Sequence, residues 1–358
     1  MFSADDYVHM AQALRLAERG LYTTTPNPRV GCVIVKNDVV VGEGWHARAG
    51  EAHAEVHALQ QAGEKARGAT VYVTLEPCSH HGRTPPCVDA LVAAGVARVV
   101  FAMNDPNPKV SGLSALEARD IKVETGLMAA QARELNIGFV SRMERGRPWL
   151  RCKMAASLDG GTALSNGVSQ WITSEPARLD VQRWRARSCA ILTGVGTVLA
   201  DDPQMNVREF EIGRQPLKVI VDSHLRTPPS AKILQGGALI ACAKLDETHA
   251  AALRAQGTEL LVLPNSQGKV DLEALLRELA ARGINELHVE GGSQLNGVLL
   301  ELGLIDELLL YMAPVLLGGE TRGMFDAPVF TQMAQGRALN IQELTHIGRD
   351  IRIRARFA

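Results

Sequence analysis

Short runs of β-branched and other apolar residues recur along the chain with amphipathic stretches between them, and this alternation limits the fold more than any other feature. VYVTLE, RVVFAM, CAILTGV, LKVIVD, ALIACA, ELLVLP and ELHVE read as strands, while HAEVHALQQAGEKA, SEPARLDVQRWRA and residues 271–282 read as helices. Strands alternating with helices must form a sheet with helices laid over its faces, so the expected class is α/β.

A chain of 358 residues exceeds what one apolar core usually organises. The seam is expected at ERGRP, Glu144 to Pro148, which is charged and broken by glycine and proline. This gives domains over 1–145 and 149–358. The first opens with a helix from Ser3 to Gly20, marked by a serine cap before Asp5 and Asp6 and a terminal glycine. VGCVIVKNDVVVGEGWH reads as a hairpin turning at Asn37-Asp38, and a helix is expected from about Pro86 to Ala94. The second half ends with DELLLYMAPVLL and IRIRARF, and the strict alternation of the latter predicts a half-solvated antiparallel strand.

The net charge is -1 and aromatics make up 4% of residues, which disfavours a nucleic-acid or anionic membrane surface and leaves few platforms for stacking bases. No stretch reaches the roughly 18 apolar residues of a membrane span, so a cytoplasmic protein is the expectation. Cys32, Cys152, Cys189 and Cys242 stand singly in or beside apolar runs and read as buried free thiols.

Cys78 and Cys87 differ from those four. They flank a loop rich in proline and histidine, downstream of His53-Ala54-Glu55 at the start of a helix. One imidazole and two thiolates suit a zinc ion with an open fourth position, the arrangement a catalytic site needs. Glu55 then serves as a proton shuttle rather than a ligand, since water at the open position becomes acidic near neutral pH. Cys87 falls at the start of the next helix, whose backbone N–H groups favour a thiolate. A zinc peptidase is the rival reading, because His53 and His57 lie four apart in HAEVH, but its glutamate should follow the first histidine directly and Ala54 intervenes. His57 is therefore read as an ordinary helix-face residue.

The H-x-E pattern followed by P-C and a later cysteine resembles the zinc-dependent nucleobase deaminases. The string TLEPCSHHGRTPPC, with TPNPRVG before it and NDPNPKVSG after it, resembles one branch of them, the deaminase half of the bifunctional riboflavin-biosynthesis deaminase/reductases. KMAASLDG, SQWIT, TVLADDP and VEGG extend the resemblance through the second half. It implies an N-terminal cytidine-deaminase-like α/β/α domain and a C-terminal dihydrofolate-reductase-like α/β domain. It further implies zinc on His53, Cys78 and Cys87, proton shuttling by Glu55, and a small phosphoribosyl pyrimidine as substrate. His46, His80, His81, Arg83 and Lys109 become candidates for the substrate and its phosphate, with Asn27, Asp105 and Asn107 at the base and ribose edges. No nucleic acid or membrane partner is expected, and the chain is expected to form a homo-oligomer, a dimer or tetramer.

For the second domain the resemblance implies NADPH as reductant of the ribosyl group. TGVGTVLADD invites a dinucleotide-fingerprint reading, but Leu199 stands in the place of the third glycine and argues against it. GGSQLNG, after ELHVE and at the start of an apolar stretch, is the better phosphate turn. Matched motifs give cofactor contacts at Ala155, Trp171, Thr197, Asp201 and Ser223. They continue through the turn Gly292, Ser293, Gln294, Leu295, Asn296, Gly297 and Val298. Substrate contacts fall to Ser169, Arg185, Arg208 and Glu290, with the two arginines suited to a phosphate. Lys153 and Glu290 each interrupt an apolar strand, and a buried charge needs a partner or a task, so both are expected to act on the opened sugar during reduction. Gly161 after SLDG departs from the usual larger residue and affects only the local turn. Two rivals remain weaker: a base editor of the same zinc superfamily, and a second half that binds nucleotide without chemistry.

Overall fold

In the computed structural model, which describes residues 1–80 and 85–358, the chain opens on a reciprocal cap. Ser3 Oγ accepts from the N–H of Asp6 at 3.2 Å, and the Asp6 carboxylate accepts from the N–H of Ser3 at 2.8 Å. Both N-terminal donors are thereby satisfied and helix α1 (Ala4–Glu18) begins where the serine predicts. Two compact units follow, Met1–Gly146 and Arg147–Ala358. His81 and Arg83 lie outside the described residues.

The first unit continues through β1 (Gly31–Lys36), β2 (Val39–Trp45), α2 (Ala54–Ala62), β3 (Thr70–Val73), α3 (Cys87–Ala94) and β4 (Arg98–Phe101). It ends with α4 (Gly112–Glu117), β5 (Lys122–Thr125), α5 (Ala129–Leu135) and α6 (Ile137–Arg145). Asn37 and Asp38 both adopt positive φ, 49° and 61°, which turns β1 tightly into β2. The sheet order is β2-β1-β3-β4-β5; β1 runs antiparallel to both neighbours, and β3, β4 and β5 are parallel. Met10, Ile34, Leu91 and Phe101 are fully buried in its core. The linker expected from Glu144 starts later, because Glu144 and Arg145 form the last turn of α6. Arg133 on α5 grips the Glu144 carboxylate at 2.9 and 2.5 Å and keeps that turn helical.

The second unit comprises β6 (Trp149–Ser157), α7 (Glu175–Arg187), β7 (Ala190–Gly194), α8 (Val195–Asp201), β8 (Leu217–Val221), β9 (Ala238–Cys242) and α9 (Glu247–Ala255). Then come β10 (Thr258–Val262), α10 (Leu272–Ala281), β11 (Glu286–Val289), α11 (Ser293–Glu301), β12 (Glu307–Ala313), β13 (Leu339–Ile347) and β14 (Asp350–Phe357). The order is β10-β9-β8-β7-β11-β6-β12-β14-β13, parallel from β10 to β12 and antiparallel at β14 and β13. Leu199, read as a block to close packing, projects from α8 and is 49% exposed, so it obstructs nothing. Cys32, Cys152, Cys189 and Cys242 are buried free thiols.

IRIRARF does form the antiparallel strand β14, but the arginines do not face water as its alternation predicts. They join a layer of ion pairs on the sheet face that carries Arg151. Arg151, fully buried, donates from Nε to Glu307 at 2.6 Å and from Nη1 to Glu286 at 3.1 Å, with the Trp184 ring of α7 4.5 Å from its guanidinium. Arg187 also reaches Glu286 at 2.8 Å, and Arg356 reaches Glu307 at 3.1 Å. Arg352 donates to Asp180 at 2.7 Å. Because strand residues two apart share a face, Lys153 and Ala155 continue the row that Arg151 begins, and Glu290 continues the row of Glu286 and His288.

Candidate metal centre and reductase site

His53 is the N-cap of α2, Cys78 follows β3 and Cys87 is the first residue of α3. Three loop-to-element junctions therefore deliver three donor atoms to one point. His53 Nδ1 lies 3.1 Å from Cys87 Sγ and 3.5 Å from Cys78 Sγ, and all three atoms fall within 4.8 Å of one another. Such separations suit one ion about 2.0–2.3 Å from each donor, and two sulfurs with one imidazole favour zinc over a hard cation.

The helix start acts on the other cysteine from the one the sequence points to. The N–H of Cys87 donates to Cys78 Sγ at 3.3 Å. Together with hydrogen bonds from the Cys87 thiol and from His53, this pulls the Cys78 thiol down to about 4 against the effect of burial. The Cys87 thiol is correspondingly pushed up, by its bond to Cys78 and by burial. A cation bound by both sulfurs would displace the proton that remains on them. Glu55, in the first turn of α2, is buried, and burial raises its carboxyl above the usual range with the Cys78 charge adding to the effect. A carboxyl of that kind can hold and release a proton near neutral pH.

Around this centre the structure gathers several of the expected residues. His46 is buried; its Nε2 accepts from Asn27 Nδ2 at 3.0 Å while Nδ1–H donates to the Ala52 carbonyl at 3.1 Å, which fixes a neutral tautomer. Its ring stands edge-on to His53, centroids 5.2 Å apart. His80 is half-buried. In the 104–112 loop, Asp105 accepts from the N–H of Asn107 at 2.8 Å and Asn107 from that of Lys109 at 3.2 Å, while the Lys109 side chain is exposed. Burial pushes the Asp105 carboxyl up to about 6.

The residue that fixes this loop is one the sequence reading passed over. Glu76 accepts from the N–H of Asp105 at 3.2 Å and from that of Leu113 at 2.9 Å. Ser79 and Ser111 add a second tie, with the Ser111 N–H donating to Ser79 Oγ at 2.9 Å. Gly112 is glycine because a Cβ there would lie 2.1 Å from the Pro77 carbonyl. A carboxylate at the end of an apolar strand was the available signal, the same one that singled out Glu290.

In the second unit, Arg185 on α7 grips Glu290 with both forks, Nε to Oε1 at 2.5 Å and Nη2 to Oε2 at 2.9 Å, and donates from Nη1 to the Asn206 carbonyl at 3.1 Å. Only 11% and 12% of these side chains is exposed. Burial opposes the Glu290 charge, but Arg185 outweighs it and holds the carboxyl well below its usual range. Burial pulls the Lys153 ammonium below the usual lysine range, while Glu290 partly restores it. Glu290 balances Arg185, so Lys153 brings an excess positive charge to a poorly solvated place.

Strands β7 and β11 are adjacent and parallel, so the helices α8 and α11 that follow them start side by side. Gly194 and Gly292 are their N-caps and neither start has a side-chain cap. A Cβ on Gly292 would meet Thr197 Oγ1 at 3.8 Å. The turn divides in two. Gly292, Gln294 and Val298 are exposed and Ser293 partly so, whereas Leu295 packs toward Gly194, and Asn296 ties the Gly291 and Met324 carbonyls at 3.3 and 3.2 Å. Gly297 is buried and admits no side chain, since its Cβ would lie 2.0 Å from the Asp326 carbonyl. Trp171 is 67% exposed with Arg178 over its ring at 4.6 Å, and Asp201 ends α8 on the surface. Ser169 is half-buried. Ser223 accepts from the N–H of Val270 at 3.2 Å, and exposed Arg208 pairs with Glu209 at 3.5 Å.

Both units are similar to known proteins. Residues 3–103 match the model of the cytidine and deoxycytidylate deaminase zinc-binding region, and residues 148–353 match that of the RibD C-terminal domain. The riboflavin biosynthesis protein RibD of Escherichia coli strain K12 is 50% identical over 361 residues, covering 97% of this chain and 98% of that protein. The Haemophilus influenzae protein of the same description is 46% identical, covering 98% and 97%. A solved structure of Acinetobacter baumannii RibD superposes with a TM-score of 0.92 at 45% identity over 99% of each chain. A Thermotoga maritima deaminase/reductase superposes at 0.88 with 29% identity, again over 99% of each.

Proposed function

The chain belongs to the RibD family of bifunctional riboflavin-biosynthesis deaminase/reductases, and from that premise we propose how its residues divide the two reactions. Residues 1–145 deaminate 2,5-diamino-6-(5-phosphoribosylamino)pyrimidin-4(3H)-one, and residues 149–358 reduce the ribosyl group of the product to ribityl. The carrying observation is the convergence of His53 Nδ1, Cys78 Sγ and Cys87 Sγ beside buried Glu55.

His53, Cys78 and Cys87 would hold zinc, which would make water acidic near neutral pH. Glu55 takes the proton of the attacking water on its carboxylate and returns it to the exocyclic amine, which leaves as ammonia as the ring carbon gains the water oxygen; burial tunes Glu55 for both halves of that task. Asn27 and His46 present fixed polar edges to the base, and Asp105, Asn107 and Lys109 receive the ribose and phosphate with His80 and Arg83.

In the second unit Ala155, Trp171, Thr197, Asp201, Ser223 and the exposed part of the 292–298 turn would hold NADPH, which would supply the hydride, and Ser169, Arg185 and Arg208 would hold the substrate. Lys153 lends its excess charge to the sugar oxygen, and Glu290 keeps Lys153 charged and in place. We further propose a cytoplasmic homo-oligomer. The free thiols favour a reducing compartment, and the outer strand β13 exposes Leu339, Ile341 and Leu344 along an open sheet edge.

The test supplies the phosphoribosyl pyrimidine to the purified chain with zinc quantified. Ammonia should appear without NADPH, and NADPH oxidation should require the deaminated product. Ammonia release that survives complete zinc removal overturns the metal reading, and NADPH binding without oxidation reduces the second unit to a binding module.

A further inference from the structure

His288 lies in the middle of β11, between Glu286 and Glu290, with no exposed surface. Among the described residues neither of its ring nitrogens has a hydrogen-bond partner. Its Nε2 nevertheless points toward Glu290 and stands 3.5 Å from Oε1, just beyond a good hydrogen bond. A neutral imidazole carries one N–H, and leaving it unspent in a dry interior costs free energy that a small shift toward Glu290 would recover.

Arg185 already donates to both carboxylate oxygens, and each oxygen keeps a further lone pair that can accept from the imidazole. Arg185 is also the proposed phosphate ligand, and a guanidinium cannot present the same N–H pair to a phosphate and to Glu290. When the fork turns to substrate, Glu290 loses both donors while still largely buried, and would follow Arg185 away from Lys153 unless another donor takes over. We infer that His288 is a positioning residue for the reductase: its Nε2–H takes over Glu290 Oε1 as Arg185 engages substrate, and holds that carboxylate beside Lys153 for the chemical step. This rests on the roles proposed above for Glu290 and Arg185.

The test uses the full chain with His288→Leu, which removes the donor, and His288→Gln, which restores one at similar reach. NADPH oxidation on the deaminated substrate should lose about ten- to a hundredfold in kcat with His288→Leu, the value of a hydrogen bond to a charged group. NADPH affinity and ammonia release should stay at the parent level, because the bond forms only with substrate bound. His288→Gln should recover most of the loss. If His288→Leu fails to fold, His288→Asn, whose amide falls short of Glu290, should show the same loss. An unchanged kcat for His288→Leu overturns the inference, as does a His288→Gln variant as slow as His288→Leu. Glu290→Gln assayed alongside separates the failures. A full rate there removes the role of Glu290 and the inference with it, whereas a slow Glu290→Gln beside a full-rate His288→Leu removes the inference alone.

Discussion

The Glu76 carboxylate accepts the backbone N–H of Asp105 at 3.2 Å, so the segment joining β3 to the cysteine ligand also holds the loop that carries the proposed ribose and phosphate contacts. Its other oxygen takes the N–H of Leu113 at 2.9 Å, which clamps the loop at both ends.

Glu76→Ala leaves two backbone donors without their acceptor, at about 1–3 kcal/mol each. The ligands do not depend on this clamp, so zinc content should hold while KM for the phosphoribosyl pyrimidine rises by roughly tenfold or more. Metal analysis beside ammonia-release kinetics checks both halves, and zinc loss at constant KM would place Glu76 with the metal instead.

Glu55→Gln keeps the shape of the side chain and removes its proton chemistry. Ammonia release should fall by about a hundred- to ten-thousandfold, the usual worth of a general acid-base group. Zinc content and NADPH oxidation on deaminated substrate should match the parent. Normal ammonia release from a zinc-loaded variant would end the proton-shuttle assignment.

Much of the first site is legible in sequence because its parts are local. A histidine at a helix cap, a glutamate in the first turn and a cysteine opening the next helix are each set by short-range signals, and Ser3 and Asn37-Asp38 mark their elements as directly. Residues 112–145 gave no reading: β5 has four residues and α4 six, too short for periodicity to appear. The arginines of β14 misled for a different reason. Alternation reports which side chains share a face, and the charge on that face suggested water, but Glu307 and Asp180 come from elements far away in the chain. Pairing of Arg185 with Glu290 across 105 positions was hidden in the same way, although each residue was singled out alone.

Arg185→Ala strands the Glu290 charge in a site only 12% exposed. Breaking such a pair on one side should cost about 3–5 kcal/mol, and adding Glu290→Gln should recover part of that loss, since the orphaned charge goes with it. Urea unfolding read by tryptophan fluorescence is a suitable measure, because Trp149, Trp171 and Trp184 all belong to the second unit. Equal losses in the single and double variants would show that the orphaned Glu290 carboxylate carries no penalty there.

Lys153 runs the opposite way. Burial sets its folded-state pKa below the ordinary 10.5, so the chain gains stability as pH rises from that lowered value to 10.5, and at neutral pH the ammonium is a cost that Glu290 only partly offsets. Lys153→Met removes the charge and keeps the bulk. Its melting temperature at pH 7 should therefore exceed the parent's, by about 2–4 °C for each kcal/mol of cost removed, and the parent's alkaline rise in stability should flatten. NADPH oxidation should collapse while ammonia release continues, since Lys153 belongs to the second unit. A variant that melts lower and still oxidises NADPH would mean that Glu290 needs Lys153 for structure and the sugar oxygen does not need it for chemistry.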